Sequence, residues 1–380
     1  MVIRHFLKWI SSARVSERAA AAAALARTYL DNRIPFEDRC DAEAALTLLA
    51  DDPSPKVRAA LAETLSMSHH APPQVIAALA SDQEEVAGSV LVRSPLLTDL
   101  DLVDLMAGAP ANIQSLIASR AQVSMSLAAA IAEVGEADAC LALLHNDGAT
   151  IAQLSFRRMT ERFGHEGRVR DAMLSHRHLP SDCRHALLVK LGETLRNSPL
   201  VLALMGQVRA ERVTREACQK ASLTLIETTS AHEHGALVEH LRLRGDLTPA
   251  FLVQLVAHGK IDFFGSVLMA LTGQAEARIR TILASGRDVA VIALFRQCGL
   301  TTPLPAVLLR ALKVWREVAN GKRVAGAQEV SWLMLREINA APGQPGPAEA
   351  DREVATLVKG IHLEVLRENA RCHALSIAAA

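Results

Sequence analysis

Two histidine-rich segments carry the residue types that hold transition metals. The stretch "HRHLPSDCRH" supplies His176, His178, Asp182, Cys183 and His185, and "HEHGALVEH" supplies His232, Glu233, His234, Glu239 and His240. Imidazole, thiolate and carboxylate suit zinc or iron. Their spacings match no zinc template, and Pro180 places the first segment astride a loop. Exposed turn residues are therefore the expectation, with no cofactor, and His176, His178, His232 and His234 are left as the metal candidates. A second pattern is cationic. Arg93, Arg120 and Arg158 each lie seven positions after a branched apolar residue, namely Val86, Ile113 and Ile151. Guanidinium groups at one offset in stacked units line an edge, where they can grip phosphate or an acidic chain. They can instead cap helix C-termini or bond to an Asp of the neighbouring unit, such as Asp82 or Asp147, and this structural use is the expectation. The chain contains no G-x-x-x-x-G-K-[ST] phosphate loop, H-E-x-x-H site or G-x-S-x-G elbow.

Composition limits what can position these residues. Half of the 380 residues are hydrophobic but only 3% are aromatic, so the core must be built from Leu, Ala, Val and Ile. That favours close-packed helices over a β-sandwich. Lys plus Arg and Asp plus Glu stand at 41 each, so no overall field draws the chain to nucleic acid or anionic lipid. The 6 cysteines are scattered without a C-x-x-C pair, which fits a reducing compartment. The first 30 residues mix His5, Lys8 and Arg14 among apolar positions, a poor secretory signal. Their basic start is similar to an organelle transit peptide, but an amphipathic first helix is the expectation. No window approaches the ~18 apolar residues that span a bilayer. A soluble cytoplasmic protein is expected.

The helices repeat. "DDPSPKVRAALAETL" is a polar turn running into an amphipathic helix, and three further stretches match it when aligned on Val57: their equivalent residues are Val86, Ile113 and Ile151. The steps are 29, 27 and 38, the last taken to include an extra turn or helix. Asp52, Asp82 and Asp147 stand four or five residues ahead of the aligned position, where a carboxylate caps free N–H groups. Paired short helices cannot bury their apolar stripes alone, so neighbouring units must stack.

Farther on, helical segments end at Gly259, Gly273, Gly286 and Gly299, each read as a left-handed cap, with Gly265 marking a break after Phe264. The organisation expected is N-terminal helices over 1–40, a repeat array over 41–245, C-terminal helical repeats over 246–339, a flexible Pro/Gly linker over 340–350 and a terminal amphipathic helix over 351–380. Val354, Leu357, Val358, Ile361 and Val365 stripe that last helix. Leu357 and Ile361 are its partner-binding candidates, and capping of the open end of the array is the equal alternative.

The stretches "AALTLLADDPSPKVRAALAETL", "VIAALASDQEEVAGSVLVRSPLLTDLDLVDL", "IASRAQVS" with "AAIAEVGEADACLALLHN", and "LTPAFLVQLVAHGKIDFF" resemble the bacterial domain of unknown function 2336, typical of alphaproteobacteria. The resemblance covers most of the chain before the linker. It implies a cytoplasmic α-solenoid similar to HEAT-type repeats and transfers no catalytic residue. The pairs His165-Glu166 and His232-Glu233 are similar to the ligand pairs of deoxyhypusine hydroxylase, a HEAT-repeat di-iron enzyme that uses four such pairs in regular positions. A DNA glycosylase built on HEAT-like repeats needs aromatic residues in a basic groove. Here Trp9, Trp315 and Trp332 fall outside the repeats that would line it.

These features together predict an all-α, right-handed solenoid of HEAT-like repeats, acting as a non-catalytic scaffold for a protein partner. The alternatives are a metal-dependent enzyme using the histidine segments, or a phosphate or nucleic-acid binder using the arginines.

Overall fold

A computed structural model describes residues 2–10, 12–31, 35–301, 303–340 and 349–378. Among these residues the chain forms 23 α-helices, one short 3-10 helix and no strand. Val123 and Ala149 form an isolated parallel bridge. No helix among the described residues is long and apolar enough to cross a membrane. The helices fall into two compact units, Met1–Thr194 and Leu195–Ala380, whose boundary lies within the span 41–245 that sequence periodicity presents as one array.

In the first unit the helices alternate between two rows. One row contains Val15–Leu30, Pro55–Leu65, Glu84–Arg93, Ala111–Ala118, Ala137–Leu144 and Gly167–Ser175, each packed on the next. The other includes Phe36–Ala50 packed on Pro73–Ala80, and Asp99–Gly108, Met125–Val134 and Gln153–Phe163 packed in sequence. Val57, Leu61, Leu65, Val86 and Val90 are fully buried between the rows, as the apolar stripes require.

The repeat register differs from its sequence-based form at one place. Val57, Val86 and Ile113 are each the third residue of a first-row helix, and the next third residues are Ala139 and Val169. The step from Ile113 is thus 26 residues, followed by 30, and the 38-residue step disappears. Ile151 lies in the connection ahead of Gln153–Phe163, a helix of the other row. A search for a branched residue passes over Ala139 because the slot there is filled by a methyl group, fully buried.

Two of the aspartates before the helices, Asp52 and Asp82, bind arginines of the previous unit. Arg18 donates from Nε and Nη2 to Asp52 at 2.8 and 2.9 Å. Arg58 does the same to Asp82, and its Nη1 also donates to the Asp52 carbonyl at 2.6 Å. The helix N-caps are Ser54 and Gln83, whose own side chains make no cap bond; Asp52 Oδ1 accepts the Ser54 N–H at 2.8 Å and Asp82 Oδ1 the Gln83 N–H at 2.7 Å, so both carboxylates also serve the helix starts. Arg18 holds the Asp52 carboxyl below the usual aspartate range, and Arg58 does so for Asp82. A depressed carboxyl contributes stability above its unfolded pKa and loses it as pH falls through the folded one. Acidification below the ordinary aspartate range should therefore lower the melting temperature of the wild type more than that of an Asp52→Asn, Asp82→Asn double variant, which starts lower at neutral pH. Equal acid dependence in the two melting series would refute this role.

The second unit is built around Pro249–Ala257, a helix buried over Phe251–Val253 and Leu255–Ala257. It packs against Ile261–Thr272, Leu304–Ala319, Ala327–Ala340 and Glu349–Ala378. Gly259, Gly273 and Gly299 take the positive φ expected of left-handed caps. Gly286 does not: its φ is −62°, and glycine is needed because a Cβ there would stand 2.5 Å from the Ile282 carbonyl oxygen. Gly265 breaks nothing, since Ile261–Thr272 runs through it. The linker residues 341–348 lie outside the described residues.

Candidate functional site

The sequence-derived arginines do not form a single row. Arg93 and Arg120 follow first-row positions, whereas Arg158 stands on Gln153–Phe163 of the other row. Each is engaged within the fold. Arg93 pairs with Glu63 at 2.5 Å, and Arg158 with Glu133 at 2.7 Å. Arg120, partly buried, donates from Nη2 to the Ser94 carbonyl at 2.7 Å and from Nη1 to the Leu91 carbonyl. It thus satisfies the free carbonyls at the end of the preceding helix.

With the register corrected, the offset of seven recurs at several further contacts. Asn146, seven after Ala139, donates to the carbonyls of Ala118 and Arg120 at 2.9 and 2.7 Å. In the other row Arg162, seven after the third helical residue Ser155, donates to the Ala132 carbonyl at 2.8 Å. Lys190, seven after Cys183, donates to the Thr160 and Glu161 carbonyls at 2.7 and 3.1 Å. At these three positions and at Arg120 the side chain fastens the end of a preceding helix, whereas Thr64, at the same offset from Val57, bonds to Ala60 within its own helix and His176, at that offset from Val169, bonds to the His178 backbone.

The other sequence candidates are dispersed. His232 is exposed beside Ser230, while His234 is buried edge-on against Phe263 at 5.2 Å between ring centres. Among the described residues no three His, Cys, Asp or Glu side chains meet in a metal-holding group. Burial pushes the thiols of Cys140 and Cys298 up to about 11 and that of Cys183 to about 12, which leaves them protonated and poorly nucleophilic. Ile361 is buried and Leu357 half-buried in the second unit's own core, so the terminal helix spends its stripe on packing inside the chain.

One concave surface does collect polar chemistry. A groove of about 950 Å³ opens in the first unit between the consecutive first-row helices Ala137–Leu144 and Gly167–Ser175. Leu141, Leu144, Ile151 and Ala172 give it apolar walls, and His145, Asp147, Arg168, Asp171, Arg177 and His178 give it charged or titratable ones. The loop after Ala137–Leu144 is held in place by the Val123 to Ala149 bridge: Val123 N–H donates to the Gly148 carbonyl at 3.2 Å, and Thr150 N–H to the Val123 carbonyl at 3.0 Å.

His176 forms the groove's other rim. Its ring lies 5.0 Å from the buried Phe156 ring, and its Nδ1 accepts the His178 backbone N–H at 3.2 Å. That bond places the ring proton of the neutral form on Nε2. Burial, with His178 and Arg177 beside it, holds His176 below the usual histidine range, against the opposing pull of Asp147. Arg168 is paired with Asp138 at 3.1 Å, whereas Arg177 is exposed and makes no ion pair among the described residues. Such a surface sets guanidinium, imidazole and carboxylate groups beside apolar contact, a mixture that suits a ligand with both polar and apolar parts.

Sequence reasoning singled out His176 and His178, read them as turn residues and kept metal as the alternative. It missed Arg168, Asp171 and Arg177, whose signal was the density of charge from Arg168 to His178 around a helix end.

The bacterial family described as "Uncharacterised protein conserved in bacteria (DUF2336)" matches residues 86–341. The chain belongs to that family. The DUF2336 match includes the whole groove, begins inside Glu84–Arg93 and stops short of the terminal helix. Neither a curated protein nor a solved structure matches the chain.

Proposed function

We propose that this DUF2336 protein is a non-catalytic scaffold of the bacterial cytoplasm, whose first unit is a right-handed HEAT-like solenoid and holds a protein partner in the groove between Ala137–Leu144 and Gly167–Ser175. The observation that carries this reading is the groove itself, a mixed apolar and charged concavity with an unpaired arginine at its rim. The two-row stacking supports it, because stacked helix pairs present extended surfaces for partners. The family description brings no activity to test against this reading.

A photo-crosslinking residue at Ser175, in the groove, can be compared in living cells with one at Leu100, which is exposed on the other row. A discrete protein adduct from Ser175 and none from Leu100 is expected. No adduct at Ser175, or the same adducts from both positions, would overturn the assignment.

A further inference from the structure

The neutrality of the whole chain hides an uneven division of charge. Residues 195–380 hold 22 Lys and Arg against 17 Asp and Glu, a formal charge of +5, and residues 1–194 hold 19 against 24. Much of the second unit's excess gathers at its start: over residues 195–220 five cations stand against two glutamates, Glu211 and Glu216. Arg209, Arg212 and Arg215 are exposed there and make no ion pair among the described residues, while Gln207 Nε2 donates to Glu211 at 3.3 Å.

The same stretch is apolar and uncovered. The helix Pro199–Met205, of sequence PLVLALM, has no buried residue, and the helix Gln207–Thr228 buries only Ala210 ahead of Ser222. Leu200, Leu204 and Val208 are 68%, 74% and 84% exposed. Leu200 and Leu204 stand one turn apart on one side of the first helix. Val208, Arg212 and Arg215, at i, i+4 and i+7, share a face of the second.

We propose that this face docks on an anionic bilayer, with Leu200, Leu204 and Val208 entering the boundary of headgroups and acyl chains and Arg209, Arg212 and Arg215 meeting lipid phosphates. The contact is made at the membrane surface, since no helix among the described residues is long and apolar enough to cross. It does not involve the groove and goes beyond the scaffold reading by giving the scaffold a place to be held. Charge selects the occupant. A second copy would bring the same excess of cations to the contact. An acidic protein would have to place a carboxylate for each arginine, and these step by ~60° around the helix axis from one to the next. A fluid headgroup layer supplies phosphate along the whole of that arc.

The test is co-sedimentation of the full-length chain with vesicles of equal parts phosphatidylglycerol and phosphatidylcholine, against vesicles of phosphatidylcholine alone. Partitioning should be roughly tenfold stronger on the anionic vesicles. Leu200→Glu with Leu204→Glu should weaken it roughly tenfold, and Arg209→Gln, Arg212→Gln and Arg215→Gln together by roughly fivefold per arginine. Arg278→Gln with Arg287→Gln and Arg296→Gln removes the same charge from other exposed sites of the unit and should change it by no more than about twofold. All these side chains are exposed, and unchanged helicity by circular dichroism checks the fold. A chain that stays in the supernatant with both vesicles overturns the proposal. So does equal partitioning on the two, equal loss in the two arginine triples, or partitioning that survives the leucine changes. Binding of a soluble glutamate and leucine copolymer through Arg209, Arg212 and Arg215, with none to vesicles, would give the face to an acidic protein instead. A dimer in light scattering that the leucine changes dissolve would give it to a second copy and also overturn the proposal. Neither result alters the Ser175 crosslink, which tests the scaffold reading separately.

Discussion

Deleting residues 342–380, all of which lie beyond the family match, should unfold much of the second unit. The terminal helix Glu349–Ala378 packs on Ala327–Ala340 and on Pro249–Ala257, and it buries Val358, Ile361 and Val365 in their shared core. Each such side chain contributes ~1.5–3 kcal/mol on burial, so the three together supply about 5–9 kcal/mol as an upper estimate. Whole domains are stable by only about 5–15 kcal/mol. Lys220 adds a 2.8 Å ion pair to Glu368, and the Ser331 hydroxyl lies 3.0 Å from Nδ1 of His362. Hydrogen exchange should show Ala327–Ala340 and Pro249–Ala257 losing protection in the truncated chain. Adding a peptide of residues 349–378 should restore it. Val358→Asp in the full chain should act in the same direction, because it places an unpaired charge in a fully buried slot. Protection unchanged by both alterations would show that the helix is dispensable.

Gly148→Ala should be the most damaging single-methyl change in the first unit. A Cβ at Gly148 would stand 2.0 Å from the Ala121 carbonyl oxygen and 3.0 Å from its carbon, and both are backbone atoms that a rotamer change cannot move. Relief requires the 145–151 loop to retreat. That breaks the Val123 bonds to Gly148 and Thr150 and disturbs Asn146, whose Oδ1 accepts the Gly148 N–H at 2.9 Å. Asn146 also holds the Ala118 and Arg120 carbonyls, so the end of the previous helix is loosened as well. With several hydrogen bonds worth ~0.5–1.5 kcal/mol each at stake, a loss of about 3 kcal/mol is expected in urea melts. Gly108→Ala is the matched control: its Cβ would meet nothing within 4 Å, and alanine is the better helix residue. Wild-type stability in Gly148→Ala would contradict the account of the groove wall.

The helices of the first unit were legible because Val57, Val86 and Ile113 are large, branched and evenly spaced. The register was lost where the buried slot is filled by Ala139, whose methyl carries no hydrophobic signal distinct from the other alanines of this alanine-rich chain. That slip moved Arg158 into a row to which it does not belong and hid Asn146, Arg162 and Lys190, three different residue types doing the same job. The stripe on the terminal helix was equally plain, but periodicity gives a face and not its partner. The use of Ile361 inside the second unit emerges only from tertiary packing. For the groove, sequence reasoning picked out His176 and His178 but passed over the charged residues Arg168, Asp171 and Arg177 beside them. It could not show that a loop pinned by Val123 brings His145 and Asp147 across from them, because that contact joins residues about 25 positions apart through two backbone bonds.

The bonds from Arg120, Asn146, Arg162 and Lys190 all run backward along the chain, each to the helix end of the unit before. During synthesis the ribosome releases the earlier unit first, so its last carbonyls stay uncovered until the following helix emerges. The growing chain then always carries one incompletely fastened unit at its leading edge, and folding trails translation by about one repeat of this array.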